Sequence, residues 1–176
     1  DLGFDNENLL VMSMNSDLKE KFDTFTNITD QIPGIVSMTR SSSTPNEVWN
    51  IMRGMNWEGS KSDEGSSFAF ISADNDFVKT VNLEIVQGRN FSKDLKTDEN
   101  AILINEKSIE MMGIENPIGL KIGDGEFEVI GVIKDFNSLP LSYQIEPLFI
   151  TNIPEYFNRI IFKFSGNNSV DTIAQL

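Results

Sequence analysis

The sequence predicts an α+β protein made of two parts. Three observations point there. Residues 9–40 read as a strand, a helix and a second strand. A polar break at residues 41–46 follows them. Beyond the break, short apolar strands alternate with short helices, some with evident caps.

The first strand carries Leu9, Leu10, Val11, Met12 and Met14, with apolar residues on both faces. Asp17 starts the helix, and Glu20 stands three residues on, at capping-box spacing. Leu18, Phe22, Phe25, Ile28 and Ile32 recur at helical spacing and form one buried stripe. Pro33-Gly34 stops the helix, and residues 35–40 form the second strand. The long crossover lets these two strands run parallel. The run Ser-Ser-Ser-Thr-Pro-Asn at 41–46 is the expected hinge between the two parts.

A short strand is expected within 48–53, and another around Phe68, Phe70 and Ile71. The Gly- and Ser-rich stretch 59–67 between them is a flexible loop. Asp74 caps a short helix carrying Phe77, Val78 and Val81. Residues 83–86 are a brief strand ending at Gly88-Arg89, and the charged stretch 93–100 is a surface loop. Ala101, Ile102, Leu103 and Ile104 form a buried strand. Asn105 then caps a helix that holds Ile109 and Met112 and ends at Gly113. Asp124-Gly125 is a type I′ hairpin signal between Lys121-Ile122 and a strand at 126–133. Phe127, Val129 and Ile133 in that strand alternate onto one face. Residues 148–151 and 160–164 are further strands, and Ser169 opens a helix.

Composition narrows the function. The 176 residues are 39% apolar and include 13 Phe, enough for a real core. The formal net charge of -13 repels phosphate backbones and anionic lipid heads, so nucleic acid is not an expected partner. The chain has no Cys and no His, which removes disulfides, Ser-His and Cys-His catalysis and the commonest zinc ligand. No apolar run reaches the ~18–20 residues that span a bilayer. With Asp rather than Met first and a helix still running at Leu176, the chain reads as a piece excised from a longer protein.

The motifs carry little chemistry. Asp74-Asn75-Asp76 and Asp124-Gly125-Glu126 resemble fragments of calcium loops but lack the rest of an EF-hand. A helix cap and a hairpin turn explain them better, and no metal site is expected. Arg89 is either an anion clamp or, the favoured reading, a backbone-fixing arginine paired with an acid such as Asp94 or Asp98. There is no G-x-G-x-x-G and no Walker sequence, so no nucleotide or other cofactor is expected. Trp49, Met52, Met55 and Trp57 flank the Gly/Ser-rich loop. They read equally as a contact for a partner or substrate and as a satellite cluster under the loop. Asp135-Phe136-Asn137 marks a polar turn with a packed Phe.

Several stretches, taken in order, resemble one family. They are Asp1-Leu2-Gly3-Phe4-Asp5, Ile32-Pro33-Gly34-Ile35-Val36, the run from Asp76-Phe77 through Gly88-Arg89-Asn90-Phe91, and Ala101 through Glu106. Asn116-Pro117-Ile118-Gly119, Val129 through Asn137, and Ile145-Glu146-Pro147-Leu148 complete the series. Each alone is strand-and-turn chemistry, but the ordered set is similar to the MacB-like periplasmic core domain of FtsX/MacB-type ABC-transporter permeases. The opening segment looks most like the second such domain of the duplicated permeases common in Bacteroidetes.

The resemblance implies a split, porter-like strand–helix–strand lobe, residues 1–44 and 145–176, with a mixed α/β lobe, residues 45–144, inserted in it. It implies a non-enzymatic periplasmic domain of an inner-membrane protein. The implied partners are a cytoplasmic ATPase subunit acting through the membrane part, a second copy or repeat of the permease, and a periplasmic adaptor or substrate. The implied role is to pass ATP-driven helix motion to that outside partner, in export, lipoprotein release or mechanical signalling. The alternatives are a module that binds an exported peptide, lipid or drug and, more remotely, a two-carboxylate hydrolase.

Overall fold

A computed structural model describes residues 3–5, 7–48, 50–60, 66–138 and 144–166. The expectations at Trp49 and for a helix from Ser169 fall outside these residues. In chain order the strands are β1 (Leu9–Ser13), β2 (Ile35–Ser41), β3 (Ile51–Met55), β4 (Ser66–Ser72), β5 (Ile85–Gly88), β6 (Ala101–Asn105), β7 (Lys121–Ile122), β8 (Phe127–Ile133), β9 (Leu148–Thr151) and β10 (Arg159–Phe164). The helices are α1 (Ser16–Glu20), α2 (Phe22–Thr29), α3 (Phe77–Thr80) and α4 (Glu106–Met112), with single 3-10 turns at Lys96–Asn100 and Pro154–Tyr156.

The strands form two sheets, and the fold is α+β as expected. The small sheet has the order β1-β10-β2. β10 runs antiparallel to both neighbours, so β1 and β2 are parallel to each other with β10 between them. The opening strand–helix–strand unit is therefore split by a strand from the far end of the sequence. The large sheet has the order β3-β4-β9-β6-β8-β5, with β7 also paired to β8. It is mixed: β4 with β9 and β6 with β8 are parallel, and the other pairs are antiparallel.

Each face of the large sheet has its own core. On one face, Ile71, Leu103, Ile133, Leu148 and Ile150 pack with Phe77, Val78 and Val81 from the α3 segment. On the other, Phe68, Ile102, Ile104, Val132 and Phe149 pack with Met112 of α4 and with Ile122. Strand β6 is buried along its whole length because it feeds both cores. The small sheet has a third core, where Ile160, Phe162 and Phe164 meet Leu18, Phe22 and Phe25. Its opposite face joins the large lobe, since Ile161 and Leu9 pack into the α3-side core.

Several local expectations hold. Asn105 caps α4, accepting from the Ser108 N–H at 3.0 Å, and Gly113 closes it with φ 66°. Asp124 and Gly125 both have positive φ, as a type I′ turn requires, and join β7 to β8.

Others are corrected. The first helix is capped by Asn15, not Asp17, because the Asn15 carbonyl oxygen reaches the Leu18 N–H at 2.8 Å. It breaks at Lys21 and ends at Thr29, before Ile32. The expected stripe is only partly buried, with Ile28 58% exposed. Phe127 and Val129 share a face, but Ile133 belongs to the opposite core. The β6–β8 register shifts between Ile102 and Leu103, and that irregularity reverses the alternation. The charged stretch at 93–100 holds a 3-10 turn whose Asp98 is buried.

The crossing between lobes is pinned rather than loose. The Ser42 N–H donates to the Ser72 carbonyl at 2.7 Å, and the Ser72 N–H donates to the Ser42 hydroxyl at 2.9 Å. The Ser41 hydroxyl donates to the Ser43 carbonyl at 2.8 Å. The serines that mark a break in the sequence serve here as hydrogen-bonding partners. Strand β9 pairs in the large sheet, so the chain regains the small sheet after Thr151, later than a return near residue 145. Its four residues are all buried between β4 and β6, where the small sheet offers no place.

Candidate functional site at the junction of the two sheets

The two sheets meet where β2 ends and β4 ends. Ser41 and Ala73 form an antiparallel bridge, and the Asp74 N–H donates to the Arg40 carbonyl at 3.0 Å. Asp74 then turns its carboxylate back onto β2. It accepts from the Thr39 hydroxyl at 2.5 Å and from the Arg40 N–H at 2.9 Å. It also accepts from Arg40 Nε at 3.3 Å and from the Asp76 N–H at 3.2 Å. Asp74 is not the N-cap of α3, a position taken by Asp76, because its carboxylate is turned onto β2 instead. It ties the large lobe to the small sheet through charge-assisted hydrogen bonds.

Arg40 completes the joint. Its guanidinium lies 4.0 Å from the centre of the Phe22 ring and 5.1 Å from that of Phe157. One cation thus contacts α2, the large lobe and the turn before β10. A cleft of about 750 Å³ opens beside it, lined in part by Asp23, Lys79, Asp76 and Lys93. Lys93 Nζ pairs with Asp76 at 2.9 Å. That carboxylate raises the Lys93 pKa above its ordinary value.

A second tie comes from the segment before β1. Phe4 is buried in the α3-side core and meets Phe136 edge-on, ring centres 6.1 Å apart. Gly3 lies against the backbone there. A Cβ on Gly3 would come within 2.7 Å of the Asp135 carbonyl and 2.8 Å of Phe136 Cα, and φ is 80°. The Asp5 N–H donates to the Val81 carbonyl at 3.0 Å. Its carboxylate pairs with Lys163 of β10 at 2.6 Å. The Lys163 ammonium and then the Glu7 N–H hold the Asp5 carboxyl below the usual carboxylate range. The turn at Asp135-Phe136-Asn137 is thus the seat for Gly3-Phe4, with Phe136 packed as expected.

Arg89 is paired with an acid. Its guanidinium grips Asp98 with two bonds of 2.7 Å. Asp98 also accepts from the Ser92 N–H at 2.8 Å. Arg89 lowers the Asp98 pKa, and Asp98 in turn raises that of Arg89. The pair closes the turn after β5.

The Met/Trp segment divides. Met55 is buried in the α4-side core, close over Gly123. Met52 is half-buried against the same core. Trp57 is half-buried, bridges to Ile122 and meets Phe68 edge-on at 6.3 Å. Only Trp57 of these three lines the open clefts on this face, of about 600 and 380 Å³. Trp49 lies outside the described residues.

A family model matches residues 3–175, nearly the whole chain, and its family is the MacB-like periplasmic core domain. The chain belongs to the MacB-like periplasmic core domain family. It is a periplasmic domain of the kind found in MacB-like ABC-transporter permeases, a family not known for enzymes. Solved structures share the fold. The periplasmic region of MacB from Actinobacillus actinomycetemcomitans aligns with TM-score 0.61 and 16% identity, over 98% of this chain and 82% of that one. The extracellular domain of the noncanonic ABC-type transporter YknZ from Gram-positive bacteria aligns with TM-score 0.62 and 17% identity, over 94% and 88%. A domain assigned to a permease protein of Porphyromonas gingivalis aligns with TM-score 0.56 and 18% identity, over 81% and 67%. No curated protein sequence matches. Among the described residues no helix is long and apolar enough to cross a membrane.

No local pattern in the sequence announces the junction. From sequence, Arg40 is the end of a strand and Asp74 a helix cap or a calcium-loop fragment, and neither points to the other. The available signal was an arginine closing an apolar strand directly before a serine run, which is an expensive place for a charge unless it has a partner.

Proposed function

We propose that this MacB-like domain is a lever, carrying movement from a permease's membrane helices to a partner outside the membrane. One observation supports this most directly. The chain enters β1 and leaves β10 side by side, with the Phe164 N–H donating to the Asn8 carbonyl at 2.9 Å. Both passages therefore belong to the small sheet, and the large lobe lies wholly between them in sequence. We take the lobes to be residues 3–44 with 152–166, and residues 45–151 inserted, so that β9 goes with the large sheet. Displacement applied to the small sheet reaches the large lobe through Arg40–Asp74, the pinned serines and the Gly3-Phe4 tie. Such a lever needs stiff lobes and a defined joint, and no catalytic group.

In this reading the permease sits in the inner membrane, an ATPase on the cytoplasmic side supplies the motion, and a second copy or repeat of the permease supplies the opposing lever. The domain carries no reaction and no cofactor. The carboxylates at the junction suit that role, since Asp74 is held by four hydrogen bonds and Asp76 by Lys93.

The test uses the intact permease with its ATPase in liposomes, with spin labels on the large lobe and at the membrane surface. These 176 residues have no native Cys, so within them labels attach only where they are placed. Trapping the ATPase with vanadate is expected to shift the label distance. Arg40→Met combined with Phe4→Ala is expected to broaden the distribution and abolish the shift while ATP hydrolysis continues. An unmodified permease whose large lobe stays put through the cycle would sink the lever reading.

A further inference from the structure

The face around Trp57 combines apolar exposure with acid. Met111, at the end of α4, is 40% exposed, and Ile118 is 42% exposed. Trp57, Ile114 and Leu120 are half-buried between them and the α4-side core. The two clefts here share Trp57 and Ser60, so they adjoin. Glu58 and Asp124 line the larger one, and Glu115 is exposed beside it in sequence. Among the described residues, Lys121 is the cation lining that cleft, and it is paired with Glu128. None of the ion pairs among the described residues involves Glu58, Glu115 or Asp124.

We propose that this face docks a cationic amphipathic segment of a protein partner. Its apolar side chains would sit beside Trp57 and Ile118, and its Lys or Arg would face Glu58, Glu115 and Asp124. Charge complementarity selects this occupant. A chain of net charge -13 repels a second copy of itself and anionic lipid, and draws a basic segment. An aromatic anchor within a polar rim matches the anatomy of interfaces, and here the rim is acidic. The surface lies on the inserted lobe, away from the small sheet, and stands independently of the lever reading.

Titration calorimetry on the 176-residue chain tests it. The probe is a Lys/Leu amphipathic peptide of about 18 residues, five helical turns. A Lys/Ser peptide of equal charge and a Glu/Leu peptide of equal pattern are the controls. The expected result is one-to-one binding of the Lys/Leu peptide, with the controls weaker. Ile118→Glu and Met111→Glu are each expected to weaken it about tenfold or more. Both side chains are exposed, so the folded state should tolerate the changes, and a thermal melt checks that. Both variants add negative charge, so attraction by charge alone would tighten binding instead. Equal or tighter binding by folded variants would overturn the proposal. So would stronger binding of the Glu/Leu peptide, or dimerisation of the chain in sedimentation that Ile118→Glu abolishes.

Discussion

Two arginine–aspartate pairs use the same residue types in different places. Arg89 and Asp98 lie within one lobe, nine residues apart, joined by two bonds of 2.7 Å. Arg40 and Asp74 lie across the junction, 34 residues apart, joined side chain to side chain by one bond of 3.3 Å. The Asp98 side chain is 3% exposed and that of Asp74 is 11% exposed. The first pair closes a turn and depends on its arginine. The second spreads the load over the Thr39 hydroxyl, two backbone N–H groups and two aromatic rings. A joint between lobes is thus held by many moderate contacts, and a turn inside a lobe by one strong one.

The sharpest way to break that comparison is Arg89→Met. It strands the Asp98 carboxylate with the Ser92 N–H and a 3.5 Å contact from Thr97. The expected loss is about 2–3 kcal/mol, at or below the low end for a buried pair because the Arg89 side chain is 43% exposed, read from urea unfolding of the isolated chain. The same pair predicts the pH response. Arg89 lowers the folded pKa of Asp98, so its stabilisation is present above the ordinary carboxylate value of about 4 and is lost as pH falls through the folded pKa. Asp5, lowered by Lys163, has the same sign. Acid unfolding of the Arg89→Met variant should therefore start at higher pH and show a shallower fall in stability.

Arg40→Met comes next, at about 1–2 kcal/mol. The substitution keeps the backbone N–H that bonds Asp74 at 2.9 Å, along with the Thr39 and Asp76 donors. What goes is the 3.3 Å bond from Arg40 Nε to Asp74 and the cation over Phe22 and Phe157. Hydrogen exchange should quicken at β2 and the Ser41–Ala73 bridge while β6 stays protected. If Arg40→Met cost as much as Arg89→Met, or if β6 loosened too, the contrast between joint and turn would fail.

This contrast also explains what the sequence made legible. Asn105 and Gly113 bracket α4, and Asp124-Gly125 makes its turn, through contacts a few residues long. Local chemistry of that kind is written in the local sequence. The helix cap at Asn15 rather than Asp17 is a shift of two residues between equally suitable side chains. The β8 irregularity near Ile130 depends on how β6 aligns, which no local pattern records. The Gly3-Phe4 and Asp135-Phe136 stretches both stand out, but their contact joins positions far apart in sequence, Phe4 against Phe136. Around the Met/Trp segment, composition drew attention to the right face but could not separate buried Met55 from Trp57. The ordered resemblance carried the family because it rests on the series of turns, not on any long-range pair.

Asp135 gives the smallest effect, with the opposite sign. Burial pushes its carboxyl up, and the nearby Glu106 adds to that, while the Lys107 N–H at 2.8 Å partly offsets both. A carboxyl raised in the folded state costs stability once it ionises, and that cost is relieved as pH falls through its folded pKa. Asp135→Asn keeps an oxygen to accept from Lys107 and removes the charge. It should raise stability near neutral pH, by no more than about 0.5 kcal/mol because solvent still screens the site. Below about pH 4, where the native carboxyl is itself protonated, the gain should vanish. Unfolding curves of both proteins at the two pH values decide it. A variant that loses stability at neutral pH would show that Asp135 is needed as a charge, and would turn the seat for Gly3-Phe4 from a packing contact into a third electrostatic tie between the lobes.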